Sequence, residues 1–290
     1  MSWRTIVISN SAKLDYEMGF MVVRRERIKK IYINEIAVLM IESTAVSLTA
    51  ALLSELTKKK VKVIFCDEKR NPSSELLPYY GAHDTSAKIR NQIAWPEDIR
   101  KAVWTEIVTD KIRKQAEHLA FRNKKEESKL LFQYISEMEF ADESNREGHA
   151  AKVYFNALFG KDFTRTTDSS INSALNYGYS LILSAVNREV TYNGYLTQLG
   201  LFHDNMFNPF NLGSDLMEPF RPVVDRCVYE MKPEKFDHEE KMELLKILQK
   251  EVKIDDRTEL LSRAIAVYCR SIFDALNDRD VSLIKLYYEL

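Results

Sequence analysis

The sequence predicts a mixed α+β chain: a small β-rich N-terminal domain over residues 1–79, a linker over 80–86 and a larger all-α catalytic domain over 87–290. Three observations predict it. Up to about residue 66 the apolar residues fall in short runs rich in β-branched side chains, as in strands. Around residues 72–81, Pro72, Pro78 and Gly81 interrupt all periodicity, as in a linker or hinge. From about Ala87 onward apolar residues recur at three- and four-residue spacing, the mark of amphipathic helices. The 8 glycines in 290 residues also fall below the usual share of about 7%, which favours helix over glycine-punctuated β architecture.

In order along the chain, RTIVIS at Arg4–Ser9, FMVVRR at Phe20–Arg25, KKIYIN at Lys29–Asn34 and IAVLMIE at Ile36–Glu42 read as strands. SLTAALLSELTKKK then reads as a helix with Leu48, Leu52, Leu53 and Leu56 on one face and a basic last turn. VKVIFCD at Val61–Asp67 returns to strand. Beyond the linker, WTEIVTDKIRKQAEHLAF places Ile107, Val108, Ile112, Ala116 and Leu119 on one stripe. EGHAAKVYFNALFG ends at Gly160, a natural helix stop. SSINSALNYGYSLILSAVNREV, EEKMELLKILQKEV and TELLSRAIAVYCRSIFDAL read as further helices.

Bulk composition excludes several classes. A net charge of −1 gives no global attraction to nucleic acid, so any basic surface must come from local clusters. The three cysteines, Cys66, Cys227 and Cys269, form no CxxC, which argues against a disulfide framework or a zinc site and for a reducing, cytoplasmic setting. The start MSWRTIVISNSAK lacks the apolar core of a signal peptide. The most apolar run, Ile36–Ile41, is far too short to span a bilayer, so no membrane association is expected.

Polar groups kept among apolar neighbours mark the candidate site. In NLGSDLMEPFRP, Asp215 and Glu218 stand among Leu, Met and Phe, and desolvating a carboxylate is costly without a partner. Arg221 lies three residues beyond Glu218, so a local salt bridge is one reading. His203 stands shortly upstream, and two carboxylates with an imidazole can equally form an oxygen/nitrogen site for Mg²⁺ or Mn²⁺. In REGHAAKVYF, Glu147 is either a surface residue near a helix start or a carboxylate presented inward. Glu147 and His149 point to different helix faces and so make a poor pair of ligands. Asn172, Asn176, Tyr177 and Tyr179 bring polar groups into an apolar helix, either as cross-links between helices or as a polar lining. Basic residues cluster at Val22–Lys30, which includes Arg24 and Arg25, and at Lys111–Lys125, which ends in Lys124 and Lys125. Such clusters are solvated faces or a track for a polyanion.

The order and wording of these pieces resemble one family over almost the whole chain. The resemblance runs through AKL and the basic strand of the β domain, VKVIFCDEKRNP, WTEIVTDKIRKQA, NREGHAAKVYFNALFG, LNYGYSLILSAVNRE, GYLTQLGLFHDN and FNLGSDLMEPFRPVVDR. The family is the CRISPR-associated adaptation integrase, the nuclease-like subunit of spacer acquisition. The wording is most similar to the branch whose effector is a single RNA-guided nuclease. The resemblance implies a divalent-metal site built by Glu147, His203 and Glu218, where the last ligand is Asp in some members. It implies Asp215 beside the ligands, and Asn176, Tyr177 and Arg221 are expected to support them. The implied reaction joins 3′-hydroxyls of spacer DNA to phosphodiesters of a repeat. Arg24, Arg25, Lys124 and Lys125 are expected to contact the DNA backbone.

The implied partners are double-stranded DNA (spacer precursor and repeat array), a second copy through the N-terminal β domain, and a small ferredoxin-like adaptation subunit. Other adaptation proteins and the effector nuclease complete the set. Two other classes compete. A noncatalytic DNA-binding scaffold would have lost ligands that this chain retains. A small-molecule metal hydrolase would show a nucleotide-pocket motif instead of broad basic strips.

Overall fold

The computed structural model describes residues 4–76 and 82–289. It divides into two compact units, Met1–Tyr79 and Tyr80–Leu290. The chain is β-rich first and helical afterwards, as the sequence predicts.

The first unit holds β1 (Arg4–Ile8), β2 (Ala12–Glu17), β3 (Phe20–Arg24), β4 (Lys29–Tyr32), β5 (Ile36–Ile41), β6 (Val46–Leu48), α1 (Ala50–Lys58), β7 (Lys62–Cys66) and β8 (Pro72–Leu76). One sheet has the order β1-β5-β7-β8 and a second the order β4-β3-β2-β6. β1, β5 and β7 run parallel, and β8 closes the sheet antiparallel to β7. β5 lies between two partners and is buried at all six positions, which is why its sequence IAVLMI does not alternate. Leu14, Met21 and Val23 of one sheet, Leu39, Ile41 and Val63 of the other, and Leu52 and Leu56 of α1 share a single core. Thr49 caps α1 by accepting from the Leu52 N–H.

Here the structure corrects three readings. Pro72–Leu76, expected to be irregular linker, is an edge strand with its proline at the first position, where a missing N–H costs least. Leu48 belongs to β6 and not to the helix. Of the predicted linker at 80–86, residues 80 and 81 lie outside the described residues, and Thr85 already opens a helix. Pro78 and Gly81 lie outside them too.

The second unit comprises α2 (Thr85–Ile93), α3 (Glu97–Phe121), α4 (Lys125–Ser136), α5 (Arg146–Phe159), α6 (Ser170–Tyr192), α7 (Asn211–Leu216), α8 (Arg221–Met231), α9 (His238–Leu245) and α10 (Leu261–Asp278). It is not purely helical. β9 (Glu251–Ile254), β10 (Arg257–Leu260) and β11 (Tyr287–Glu289) form a small antiparallel sheet with β9 in the middle. The segment EEKMELLKILQKEV is therefore helix only as far as Leu245, then one 3₁₀ turn, then strand.

α3 is the axis of this unit. Glu97 and Asp98 in its first turn complement the positive end of the helix. Ile107, Val108, Ile112, Ala116 and Leu119 are fully buried, as their spacing predicts. α4, α5, α8, α10 and the 3₁₀ turn Glu218–Phe220 pack around it. α6 and α8 approach closely at Gly178, where a Cβ would collide with Val224.

Candidate active site

Three segments of the helical unit supply the expected residues. Glu147 lies in the first turn of α5. Asn145 caps that helix from a left-handed conformation, φ 53°, and accepts from the Gly148 N–H at 3.3 Å. Asp142 accepts from the N–H groups of Arg146 and Glu147, at 2.6 and 3.0 Å. The helix start is therefore doubly anchored, and the Glu147 carboxylate turns inward. Its side chain is 22% exposed.

Glu218 opens the 3₁₀ turn between α7 and α8 and is buried. Its Oε1 lies 2.8 Å from Arg221 Nε, so the local salt bridge exists. Its Oε2 has a different partner. Lys111 Nζ, from the middle of α3, donates at 2.5 Å to Glu218 Oε2 and at 2.5 Å to Glu147 Oε1. Two carboxylates from distant segments thus meet at one positive charge. Burial works to raise the Glu218 carboxyl, and the Arg221 and Lys111 charges overcome it and hold the group below its ordinary range.

His203 sits in the loop between α6 and α7. Its Nδ1 is 2.5 Å from Asp215 Oδ1. Asp215 is fully buried and also accepts from the N–H groups of Leu201, Phe202 and His203, at 2.6, 3.1 and 3.2 Å. One carboxylate therefore fixes both the loop and the ring. Gly200 permits this approach, since a Cβ there would stand 2.8 Å from Asp215 Oδ2. The imidazole lies edge-on to Trp104, and Phe202 stacks on the same indole with centroids 4.5 Å apart. The hydrogen bond to Asp215 raises the proton affinity of His203, against its partial burial. Glu218 and Glu147 add to the rise, which places the ring within electrostatic reach of both carboxylates.

Among the described residues, no group of three or more His, Cys, Asp or Glu side chains meets at one metal-coordinating point. The two expected carboxylates, Glu147 and Glu218, converge on the Lys111 ammonium, and His203 is held by Asp215, so the three do not form a ready cage. The donor set still fits a hard divalent cation. Two carboxylates already converge on a single positive charge, and an imidazole whose Nδ1 faces a carboxylate is oriented to offer Nε2.

Sequence reasoning overlooked Lys111. As part of a basic cluster it reads as a solvated face or a track for a polyanion, yet Lys111 and Lys114 are buried. The signal lay in the helical register. Trp104, Val108, Lys111, Gln115 and His118 follow one another at alternating steps of four and three, so this lysine falls on a buried face.

The expected supporting residues separate. Asp215 and Arg221 stand at the site. Asn176 accepts from Arg165 at 2.7 Å, and Tyr177 packs edge-on to Phe236, so both tie α6 to loops, the first between α5 and α6 and the second between α8 and α9. The tyrosine of α6 that reaches the site is Tyr179. Its ring lies under the Arg221 guanidinium, 4.7 Å from the centroid, and its hydroxyl donates to the buried Asp225. Arg24 and Arg25 are exposed at the end of β3, where Arg24 pairs with Asp15 at 2.6 Å and Arg25 donates to Ser11 O at 3.1 Å. Lys124 and Lys125 stand at the start of α4.

Against known proteins, residues 5–253 match the model of the family described as CRISPR associated protein Cas1. The chain belongs to the Cas1 family. A CRISPR-associated endonuclease Cas1 of Neisseria meningitidis serogroup C (strain 8013) is 34% identical over 292 residues, which covers 99% of this chain and 96% of that protein. By family this Cas1-type chain is a CRISPR-associated endonuclease. Among solved structures it resembles a casposase bound to integration product, with a TM-score of 0.78 at 17% identity over 97% of this chain and 92% of that one. It also resembles part of a Cas6-RT-Cas1–Cas2 complex, with a TM-score of 0.74 at 17% identity over 99% of this chain and 36% of that one. At such identities these two likenesses establish the Cas1 fold.

Proposed function

We propose that the chain is the divalent-metal-dependent integrase and endonuclease of CRISPR adaptation, which joins 3′-hydroxyls of spacer DNA to phosphodiesters of the repeat. The observation that carries this reading is the convergence of Glu147 and Glu218 on one cation position, with His203 oriented beside them by Asp215. Glu147, His203 and Glu218 would hold a hard cation such as Mg²⁺ or Mn²⁺. When bound, it would polarise the scissile phosphate and stabilise the departing oxygen.

The chain's own residues prepare that chemistry. Arg221 and Lys111 hold the Glu218 carboxylate charged and in one orientation. Asp215 fixes the His203 ring, and the Asp142–Asn145 cap fixes the start of α5. In the reaction the attacking 3′-oxygen loses its proton and forms a bond to phosphorus. The P–O bond to the departing 3′-oxygen breaks, and that oxygen is protonated. One phosphodiester replaces another, so no energy-rich cofactor is needed. Water as the attacker gives hydrolysis by the same displacement.

The partner set follows from the same reading. A neighbour bound to integration product and a neighbour in a complex with Cas2 support DNA and a second adaptation protein as partners of this chain. The second protein is the small ferredoxin-like subunit. Pairing of two copies through the first unit, and a role beside a single RNA-guided effector nuclease, rest on the resemblance of the motifs. No helix among the described residues is long and apolar enough to cross a membrane, which is compatible with a cytoplasmic setting.

Strand transfer from a labelled 3′-hydroxyl duplex into a repeat-containing target, with and without chelator, tests the proposal. Joined product that needs a divalent ion is expected. DNA binding with no joining under any divalent ion would leave the noncatalytic scaffold standing.

A further inference from the structure

Lys111 is placed at the centre of the site, yet the displacement above gives it no step. Its side chain is 8% exposed, and its ammonium donates to Glu147 Oε1 and Glu218 Oε2 at 2.5 Å each. Fully buried Ile107, Val108 and Ile112 surround its attachment on α3. Two carboxylates brought to one point repel, and a buried charge without a partner is strongly unfavourable. Arg221 contacts Glu218 from the Oε1 side and reaches Glu147 only as a more distant charge. The Lys111 ammonium is the cation that makes the paired arrangement tenable. It also stands between the two carboxylates assigned above to a divalent ion, and two cations cannot share that position.

We propose that Lys111 is an internal counter-cation that holds Glu147 and Glu218 together until a divalent ion displaces it. This rests on the metal-dependent reading of the site. Loading in the absence of DNA is then weak, because the ion must evict a well-placed ammonium. DNA promotes loading, because its phosphates offer the displaced ammonium an anion and the ion further oxygen ligands. Lys111 thereby couples metal occupancy to the presence of substrate.

The test measures Mn²⁺ binding by electron paramagnetic resonance, and thermal melting in chelator or in Mn²⁺. The proteins are the wild-type chain, Lys111→Met, Glu218→Gln and Lys111→Met/Glu218→Gln. Methionine keeps the length and apolar stem and removes the charge. Without DNA, Lys111→Met is expected to bind Mn²⁺ about tenfold tighter than wild type or better, the factor given by a modest change in binding free energy. In chelator it is expected to melt below wild type and to recover on adding Mn²⁺, whereas wild-type melting barely responds. A repeat duplex should tighten Mn²⁺ binding more in wild type than in Lys111→Met. If Lys111→Met fails to fold in chelator, the double variant should fold there, because removing one carboxylate charge relieves the repulsion.

Lys111→Met that binds Mn²⁺ no tighter than wild type, or a double variant no more stable than Lys111→Met, overturns the proposal. The two readings fail differently. If Mn²⁺ binds wild type, is lost in Glu218→Gln and is unchanged in Lys111→Met, only the role of Lys111 falls. If no protein binds Mn²⁺ with or without DNA, the metal site itself falls.

Discussion

His118 shows how a single buried residue ties stability to pH. It is fully buried on α3, with Nδ1 2.8 Å from the Tyr154 hydroxyl. Burial, helped by the nearby Arg226, Arg122 and Lys250, pushes its pKa down to about 3. The unfolded chain takes up a proton near the ordinary histidine pKa of about 6.5. The unfolded state therefore binds more protons between those values, and stability falls as pH drops below about 6.5. Between pH 7 and 5.5 this one group should cost about 1 kcal/mol. Urea unfolding at the two pH values, compared between wild type and His118→Gln, measures it. The variant should lose less stability on acidification, and an equal loss in both would refute the assignment.

The proposed ligands and the residues that support them differ in how legible they were singly. Glu218 and His203 could be read from the sequence as part of an oxygen/nitrogen site and Glu147 as an inward carboxylate, but only the resemblance of the motifs joined the three, since each alone also reads as an ordinary helix-start acid, lone histidine or salt-bridge partner. Asp215 was legible from its apolar company, and the structure gives the reason: it is the acceptor for three backbone N–H groups and an imidazole. Lys111 was hidden by its neighbours. Lys114 and Arg113 share its stretch, so the local charge density masks the helical register that buries it.

At the scale of elements, the C-terminal strand β11 supports the turn that carries Glu218. The Tyr287 hydroxyl donates to Pro219 O at 2.9 Å, its ring stacks on Phe220 at 4.7 Å, and the Lys114 ammonium lies over the ring 4.1 Å from its centroid. β11 is itself held by β9, with Tyr287 opposite Ile254. Tyr287→Phe keeps the stack and removes one hydrogen bond, worth about 1 kcal/mol. It should lower the strand-transfer rate several-fold and raise the divalent-ion concentration needed for half-maximal rate, with DNA affinity unchanged. An unaltered metal requirement would show that the tyrosine acts on stability alone.

The elements missed from sequence share a physical cause. β2 (AKLDYE) carries three charges in six residues, and β6 spans only Val46–Leu48. β8 (PSSEL) has little β propensity and, among the described residues, is paired only on its β7 side. Each is made a strand by a long-range partner, which local pattern does not contain. Part of β9 and most of β10 read as helix because EVKI and RTEL suit either state over so few residues. β5 and α3 were plain, since burial on all sides and a long apolar stripe leave one reading.

For the whole molecule, the reading makes DNA affinity a matter of distributed charge. A net charge of −1 means that binding must come from local clusters. Neutralising Arg24, Arg25, Lys124 and Lys125 together should weaken binding to unrelated duplexes alike. It should also flatten the salt dependence by about 0.9 in log–log slope for each phosphate contact removed. A loss confined to one DNA sequence would contradict this. The first unit carries the prediction of pairing. Tyr16, Met18, Phe20 and Tyr32 are exposed on or beside β2, β3 and β4, and β4 is a sheet edge. Sedimentation at micromolar concentration should give twice the 33.8 kDa of one chain, and a lone monomer would count against the pairing.

The most direct test of the central claim is the divalent-dependent strand-transfer rate of Glu218→Gln, measured beside its DNA affinity and beside Arg221→Gln. Glutamine keeps the size and hydrogen-bonding capacity of the side chain and removes the charge that a hard cation needs. The account predicts a fall of about a hundredfold or more for Glu218→Gln, since such electrostatic stabilisation dominates displacement at phosphorus. DNA affinity should stay near the wild-type value, and Arg221→Gln should fall less because it removes only a support of that carboxylate. Full divalent-dependent strand transfer by Glu218→Gln, or an equal loss in both variants, would contradict the account.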